Sequence, residues 1–327
     1  MGSSASTSPA FATAFLAHSG PSGVLSFADF MALALYHPQL GYYQQDRARV
    51  GYAPGTDFYT ASSSGAVFGE MVAAACTALL GGEARAREHV FVEIGAEPGG
   101  GVLAGVAHPF AAARTVRVGE VAQLTGPCVV FSNELFDAQP LRRFVRRGET
   151  WRELGVQLRG EQLHEIELAE VNTPWLPAEA GEGYVFDAPR AAAELAAVLA
   201  AQPWSGVFVA FDYGKSFAEL ASAAPAGTAR AYFQHTQSND LLARAGEQDL
   251  TGHVCWDWLQ AALDAAGCTT SQVESQESFF IHHAGAFLAQ AMAAEANRMS
   301  PRKLALLQLL HPSHLGQKFQ VLHARRQ

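Results

Sequence analysis

The sequence predicts an α/β fold built on a mostly parallel sheet, on two observations. First, residues 89–95 (HVFVEIG), 128–132 (CVVFS) and 206–212 (GVFVAFD) are short apolar runs closed by a glycine or a polar residue. Strands buried on both faces read this way. Second, helical stretches lie between the runs, chiefly 188–201 (APRAAAELAAVLAA), and strands alternating with helices belong to this class. At 327 residues and 49% hydrophobic content the chain is long enough to bury a full core.

The elements follow in order. Residues 1–10 (MGSSASTSPA) are small and polar and are expected to fray. Ser26 and Asp29 form an S-x-x-D cap for a helix over 26–36, which His37-Pro38 stops. A second helix is predicted from about 64 to 80, ending at Gly81-Gly82. The strand at 89–95 then runs into a glycine loop, EIGAEPGGG, which is expected to start a helix. Residues 141–168 alternate and are divided by Gly148 and Gly160, the pattern of an inserted β-meander. The last third predicts a helix at 253–266, a strand near 268–274, helices near 284–296 and 302–310, and a strand near 317–323. The resulting division is a helical extension over 1–85 and an α/β domain over 86–327, with the β insert at about 141–187.

Charge and composition exclude several functions. Lys plus Arg is 22 against 31 for Asp plus Glu, a net charge of −9, so the surface is wrong for coating nucleic acid. No run approaches 18 apolar residues, so no membrane helix is expected. The first basic residue is Arg47, which fits neither a signal nor a transit peptide. The four cysteines are scattered without C-x-x-C spacing, which suits reduced core thiols in a cytoplasmic protein. The tight histidine clusters are His282-His283 and His311-Pro312-Ser313-His314. Adjacent histidines on a strand face opposite ways, and neither cluster has cysteine or carboxylate partners at ligand spacing, so no metal site is expected. The arginines of the meander (Arg142, Arg143, Arg146, Arg147, Arg152) read as a solvated hairpin face, with an acidic partner as the alternative. A nicotinamide dehydrogenase is disfavoured, because G-x-G-x-x-G spacing and a clear acid at the next strand are both missing.

Chemistry is expected at strand ends, since ligands of open α/β sheets bind beyond the carboxyl ends of strands. The glycine loop is one such end. The second is Ser132-Asn133-Glu134-Leu135-Phe136-Asp137, an amide and two carboxylates directly after a buried strand, suited to a cationic or amino substrate. The third is Asp212-Tyr213-Gly214.

Together these segments resemble the MidA-type family of S-adenosylmethionine-dependent methyltransferases, which includes the mitochondrial arginine methyltransferase that helps assemble respiratory complex I. The likeness runs over FADFMALALYHPQLGYY (27–43), TDFYTASSSGAVFGEM (56–71), the glycine loop, SNELFDAQPLRRFV (132–145), WRELGV (151–156), FDYG (211–214), GTARAYFQH (227–235), GEQDLTGHVCWDWL (246–259) and LGQKFQVL (315–322). The resemblance implies a Rossmann-like methyltransferase sheet and S-adenosyl-L-methionine as cofactor. It implies Glu93, Gly95, Ala96 and Gly99 in the cofactor loop, with Asp57, Phe58 and Thr60 closing over it. Asn133, Glu134 and Asp137 are implied on the active face. Asp212, His235, Asp249 and His253 match family positions without an assigned role. A protein substrate methylated on arginine is implied as well; the oligomeric state is left open, a homodimer included.

Two departures bear on activity. The family's G-x-G-x-G reads here Gly95-Ala96-Glu97-Pro98-Gly99. From Gly101 to Pro127 the chain has 27 residues, where helix, strand, helix and strand would need about 32–36 before any loop. Residues 115–118 (TVRV) are therefore either the second strand, with Glu120 as the acid that binds the ribose hydroxyls, or the third strand, with that acid lost. The alternative to a working methyltransferase is a member that no longer binds cofactor and serves as a binding or assembly protein.

Overall fold

A computed structural model describes residues 6–45, 49, 56–57, 65–98, 100–296 and 299–327. The chain opens on α1 (Pro9–Ser19), capped by the Ser8 hydroxyl, which accepts from the Phe11 N–H. A helix thus starts inside the segment expected to fray, because Phe11 and Phe15, one turn apart, are both buried. A short strand, β1 (Val24–Ser26), leads into α2 (Phe27–Tyr36), where the Ser26 hydroxyl accepts from the Asp29 N–H as the cap predicts. These elements bury Phe11, Phe15, Phe27, Phe30 and Met31 against Val156 and Leu163. Next come α3 (Ala66–Leu80), ended by Gly81 in the left-handed region, and the single turn α4 (Glu83–Ala86).

The central strands follow: β2 (Val90–Ile94), β3 (Ala112–Val116) and β4 (Gly126–Asn133). The insert is the predicted meander, β5 (Arg142–Arg147), β6 (Thr150–Arg159) and β7 (Gln162–Val171), closed by β8 (Val185–Ala188). It forms an antiparallel sheet in the order β1-β6-β5-β8, with β7 also on β6. Its arginines pair within the sheet: Arg142 with Glu153, Arg143 with Asp187 and Glu165, and Arg147 and Arg152 with Glu167. After α5 (Arg190–Ala200) come β9 (Trp204–Asp212), the short β10 (Gly214–Lys215), α6 (Phe217–Ser222), and the small strands β11 (Arg230–Phe233), β12 (Thr236–Ser238), β13 (Asp249–Thr251) and β14 (Val254–Cys255). The chain ends with α7 (Trp256–Ala265), β15 (Thr269–Ser275), α8 (Gln276–Ala294), α9 (Pro301–Leu310) and β16 (Gln320–Arg326).

The main sheet has the order β15-β16-β9-β4-β2-β3. Strands β3, β2, β4 and β9 are parallel, and β16 runs antiparallel between β9 and β15. On one face Phe91, Phe131, Val209 and Phe211 pack on α3 and α8. On the other Val92, Val130, Phe208 and Ala210 pack on α5 and α7. Both faces of these strands are covered, which is why they read as continuous apolar runs. Among the described residues no helix is long and apolar enough to cross a membrane, and all four cysteines are free and buried.

Three expectations need correction. The glycine loop does not start a helix: residues 95–111 are turns and bends wherever they are described. Of the 115–118 segment, Thr115 and Val116 end β3, beside β2 in the second-strand position and not as a third strand, and Arg117 and Val118 follow it in a turn. No strand pairs with its outer edge among the described residues, and Ala112 to Thr115 are exposed; 27 residues supply one strand and no crossover helix. Finally, His282 and His283 lie on α8 and not on a strand, and the fold brings both to Glu274 of β15.

Candidate functional site

The chain crosses from β2 to β3 on one side and then returns to β4 on the other, so the sheet has its topological switch point at the C-terminal ends of β2 and β4. Two adjoining cavities open there, of about 650 and 300 Å³. They share Gly95, Glu97 and Asn133 in their walls.

The smaller cavity is walled by the loop after β2. The Glu93 carboxylate accepts a 2.6 Å hydrogen bond from the Val102 N–H. Burial raises its pKa to about 7 against the lowering effect of that bond. Gly101 lies so close that a Cβ there would sit 2.4 Å from the Glu93 Oε2. Gly95 is in the left-handed region, at φ 82°, and its N–H is tied to the Val116 carbonyl at 2.8 Å. The Ala96 N–H shares that acceptor at 3.2 Å. Glu97, the residue that departs from the glycine pattern, turns its carboxylate to Arg49 at 2.9 Å. Arg49 is buried, with its guanidinium over the rings of Tyr42 and Tyr43. Gly99, Phe58 and Thr60 lie outside the described residues.

The larger cavity is walled by the end of β4. Glu134 sits at φ 51°, a left-handed conformation that costs a non-glycine residue about 1–2 kcal/mol. It is held there by its N–H on the Phe211 carbonyl (2.9 Å) and by the Asn133 side-chain amide, which donates to Oε1 (3.0 Å). Asp212, at the end of the neighbouring β9, accepts from the N–H groups of Phe136 (2.8 Å) and Tyr213 (2.9 Å), so it clamps the turn that presents Glu134 and Asp137. Burial first, then the Asp212 charge, drives the carboxyls of Glu134 and Asp137 well above the usual range. Burial also raises Asp249 to about 7, against the hydrogen bond donated by the Tyr43 hydroxyl at 3.0 Å.

Tyr36, Tyr43, Tyr213 and Tyr232 complete an aromatic wall. Tyr36 and Tyr43 stack at 5.5 Å, and the Tyr36 hydroxyl donates to the Ala138 carbonyl at 2.8 Å. Asp57 lines the cavity, but both its oxygens are engaged, by the Tyr42 hydroxyl (2.7 Å) and the Gln234 N–H (2.8 Å). It therefore fastens the extension to the β11–β12 turn. His235 belongs to the same joint, its ring nitrogen 3.0 Å from the Thr56 hydroxyl. His253 also lines the cavity; burial first, then Lys215 and Arg230, depress it to about 4.

The structure thus brings Glu93, Gly95, Ala96, Asp57, Asn133, Glu134 and Asp137 to the two cavities. Glu120 is not among the lining residues: it is exposed in the turn after β3, its carboxylate taking the Arg117 N–H at 2.8 Å. Sequence reasoning assigned no role to Arg49, Tyr36 or Tyr43. The aromatic run around Gly41 was the available signal for the tyrosines, and nothing local marks Arg49.

The sheet order, the switch-point crevice and the glycine-and-carboxylate walls are those of a Rossmann-like methyltransferase. Residues 111–273 match the model of a family described as "Putative S-adenosyl-L-methionine-dependent methyltransferase". The fold is shared with a Burkholderia thailandensis protein described as a "likely methyl transferase" and bound to S-adenosyl-homocysteine. That match has a TM-score of 0.83 at 22% identity, over 97% of this chain and 92% of that one. A native crystal structure of a protein of the same superfamily from the same organism gives a TM-score of 0.79 at 22% identity, over 97% and 91%. Among curated proteins none gives a significant match. Residues 111–273 thus carry the match to this family of S-adenosyl-L-methionine-dependent methyltransferases, in agreement with the MidA-type resemblance.

The site fits that cofactor. The buried Asn133 Oδ1 and Asp137 Oδ1 have no hydrogen-bond partner among the described residues, so both await a donor from a ligand. Gly100 and Gly101 add no side chain to the wall of the smaller cavity, in which the Glu93 carboxylate could meet an amino group.

Proposed function

We propose that this methyltransferase acts on a guanidinium, the side chain of an arginine in a protein partner, in the cytoplasm. The observation that carries the reading is the set of buried carboxylates in the larger cavity. Glu134, Asp137 and Asp249 face one space, and ionising them together without a cation is costly. A guanidinium supplies the charge, and its planar fork matches paired carboxylate oxygens. The aromatic wall of Tyr36, Tyr43 and Tyr232 suits a flat cation.

In this reading Glu93, Gly95, Ala96 and Asn133 hold S-adenosyl-L-methionine, which supplies a methyl group on a positively charged sulfur. Glu134 and Asp137 orient one guanidinium nitrogen toward the smaller cavity, and one of them takes the proton that this nitrogen sheds as it is methylated. Asp212 keeps that pair in place through the backbone of 136–137. Holding the reactants in line is the main catalytic contribution, since the displacement needs little else from the protein.

The test uses purified protein, a labelled methyl donor and arginine-containing acceptor peptides, with mass spectrometry of the labelled residue. Methylarginine is expected. Label confined to lysine, to a chain terminus or to a small amine would overturn the reading.

A further inference from the structure

Away from the methyl-transfer site, a second group of chemistry-bearing side chains meets where β15, β16 and α8 join. Glu274 is on β15 and His323 on β16. The register pairs Gln272 with His323 and Val321 with Glu274, which puts Glu274 and His323 diagonally adjacent on one face of the sheet. His282 and His283 descend onto the same point from α8, whose helical geometry breaks at the next residue, Ala284 (φ −120°, ψ 16°). Glu274 Oε1 lies 3.1 Å from His283 Nε2 and 3.0 Å from His323 Nε2. Its other oxygen meets His282 Nδ1. Glu274 and His323 side chains are 14% and 9% exposed, and His283 is 23% exposed, so the three form a partly sheltered pocket with one open side. The ring of Phe279 packs on His283 at 5.0 Å and on His323 at 5.5 Å, fixing both imidazoles.

We propose that Glu274, His283 and His323 bind one Zn²⁺ ion, with the fourth position left to water on the exposed side. One donor atom from each of the three lies within 4.8 Å of the others. Tetrahedral zinc with bonds of about 2.0–2.1 Å holds neighbouring ligand atoms roughly 3.3 Å apart, close to the 3.1 and 3.0 Å from Glu274 Oε1 to His283 and His323. Two imidazoles with one carboxylate are a donor set that zinc accepts and that calcium and magnesium, which prefer oxygen, do not. The ion clamps α8 to the sheet edge and is structural: its ligands lie on the α3–α8 face, and none of them lines the methyl-transfer cavities.

The experiment titrates tag-free, chelator-treated protein with Zn²⁺ alone, by calorimetry and by metal analysis after dialysis. One equivalent per chain is expected, with the melting temperature raised in its presence. His283→Ala and His323→Gln should each weaken binding about 100-fold, whereas His311→Ala/His314→Ala should leave it unchanged. Co²⁺ added to unaltered protein should give the intense visible absorption of a tetrahedral nitrogen–oxygen site, a readout that no variant's folding can confound. No binding at 100 µM free Zn²⁺, an octahedral Co²⁺ spectrum, or binding lost only in the His311/His314 variant would each overturn the assignment.

Discussion

At Glu134 the backbone is left-handed, and that conformation aims a carboxylate into the larger cavity instead of along the strand. Conformational strain of this kind persists only where neighbours enforce it, here the Phe211 carbonyl and the Asn133 amide. Glu134→Gln keeps the shape and removes the charge. Turnover should fall by about 100-fold or more while S-adenosylhomocysteine affinity changes little, as seen by separate rate and calorimetric measurements. Equal loss of both would mean that Glu134 holds cofactor. Glu97 is a different case. Its carboxylate balances Arg49, which is 2% exposed, while Glu97 itself is 37% exposed. Glu97→Gln leaves that cation buried and unpaired, and the partial exposure of Glu97 keeps the expected destabilisation to about 1–3 kcal/mol in urea unfolding. An unchanged midpoint would show that the pair is idle. The departure from the glycine pattern is thus part of a link between extension and loop.

At the scale of elements, the loop after β2 has no helix behind it and is supported by α3 instead. Gly69 of α3 lies against that loop: a Cβ there would come within 2.1 Å of the Val102 carbonyl oxygen and 3.0 Å of the Val106 Cγ2. Gly69→Ala must push the loop away, and Val102 with it, whose N–H holds Glu93. A loss of about 1–3 kcal/mol in stability is expected, with a weaker Kd for S-adenosylhomocysteine. Thermal unfolding and calorimetry measure the two, and an intact Kd would separate the loop's position from cofactor binding. The same packing explains how 27 residues between Gly101 and Pro127 suffice. The sheet stops at β3, and the extension covers what a crossover helix would otherwise cover.

For the whole molecule, the carboxylates gathered at the switch point set the pH response. Glu93 and Asp249 are raised to about 7, and Glu134, Asp137 and Asp212 are raised in the same direction by burial. A carboxyl raised in the folded state binds more protons there than in the unfolded chain, so it stabilises at low pH and that stabilisation is lost as pH rises through its folded pKa. The depressed histidines His253 and His323 act oppositely up to their ordinary pKa of about 6.5, but two histidines are outnumbered by five raised carboxyls. Ligand-free protein should therefore lose stability as pH rises from about 5 to about 7, read as a falling urea midpoint. Binding of the cationic cofactor, relative to S-adenosylhomocysteine, should strengthen over the same range. A flat profile in both would remove the buried cluster as the cause.

Much of this was legible from spacing alone. The buried strands declared themselves as apolar runs, the meander by alternation divided at Gly148 and Gly160, and the site by an amide and carboxylates directly after a strand. These signals are local, because strand and helix periods are written in neighbours two to four residues apart. What the tertiary structure decided joins residues far apart in sequence. It set Thr115 and Val116 beside β2, paired Arg49 with Glu97 across 48 residues, made Asp212 the clamp of a turn 76 residues away, and brought His323 to Glu274 across 49. Such pairings depend on sheet order and register, which no local period encodes.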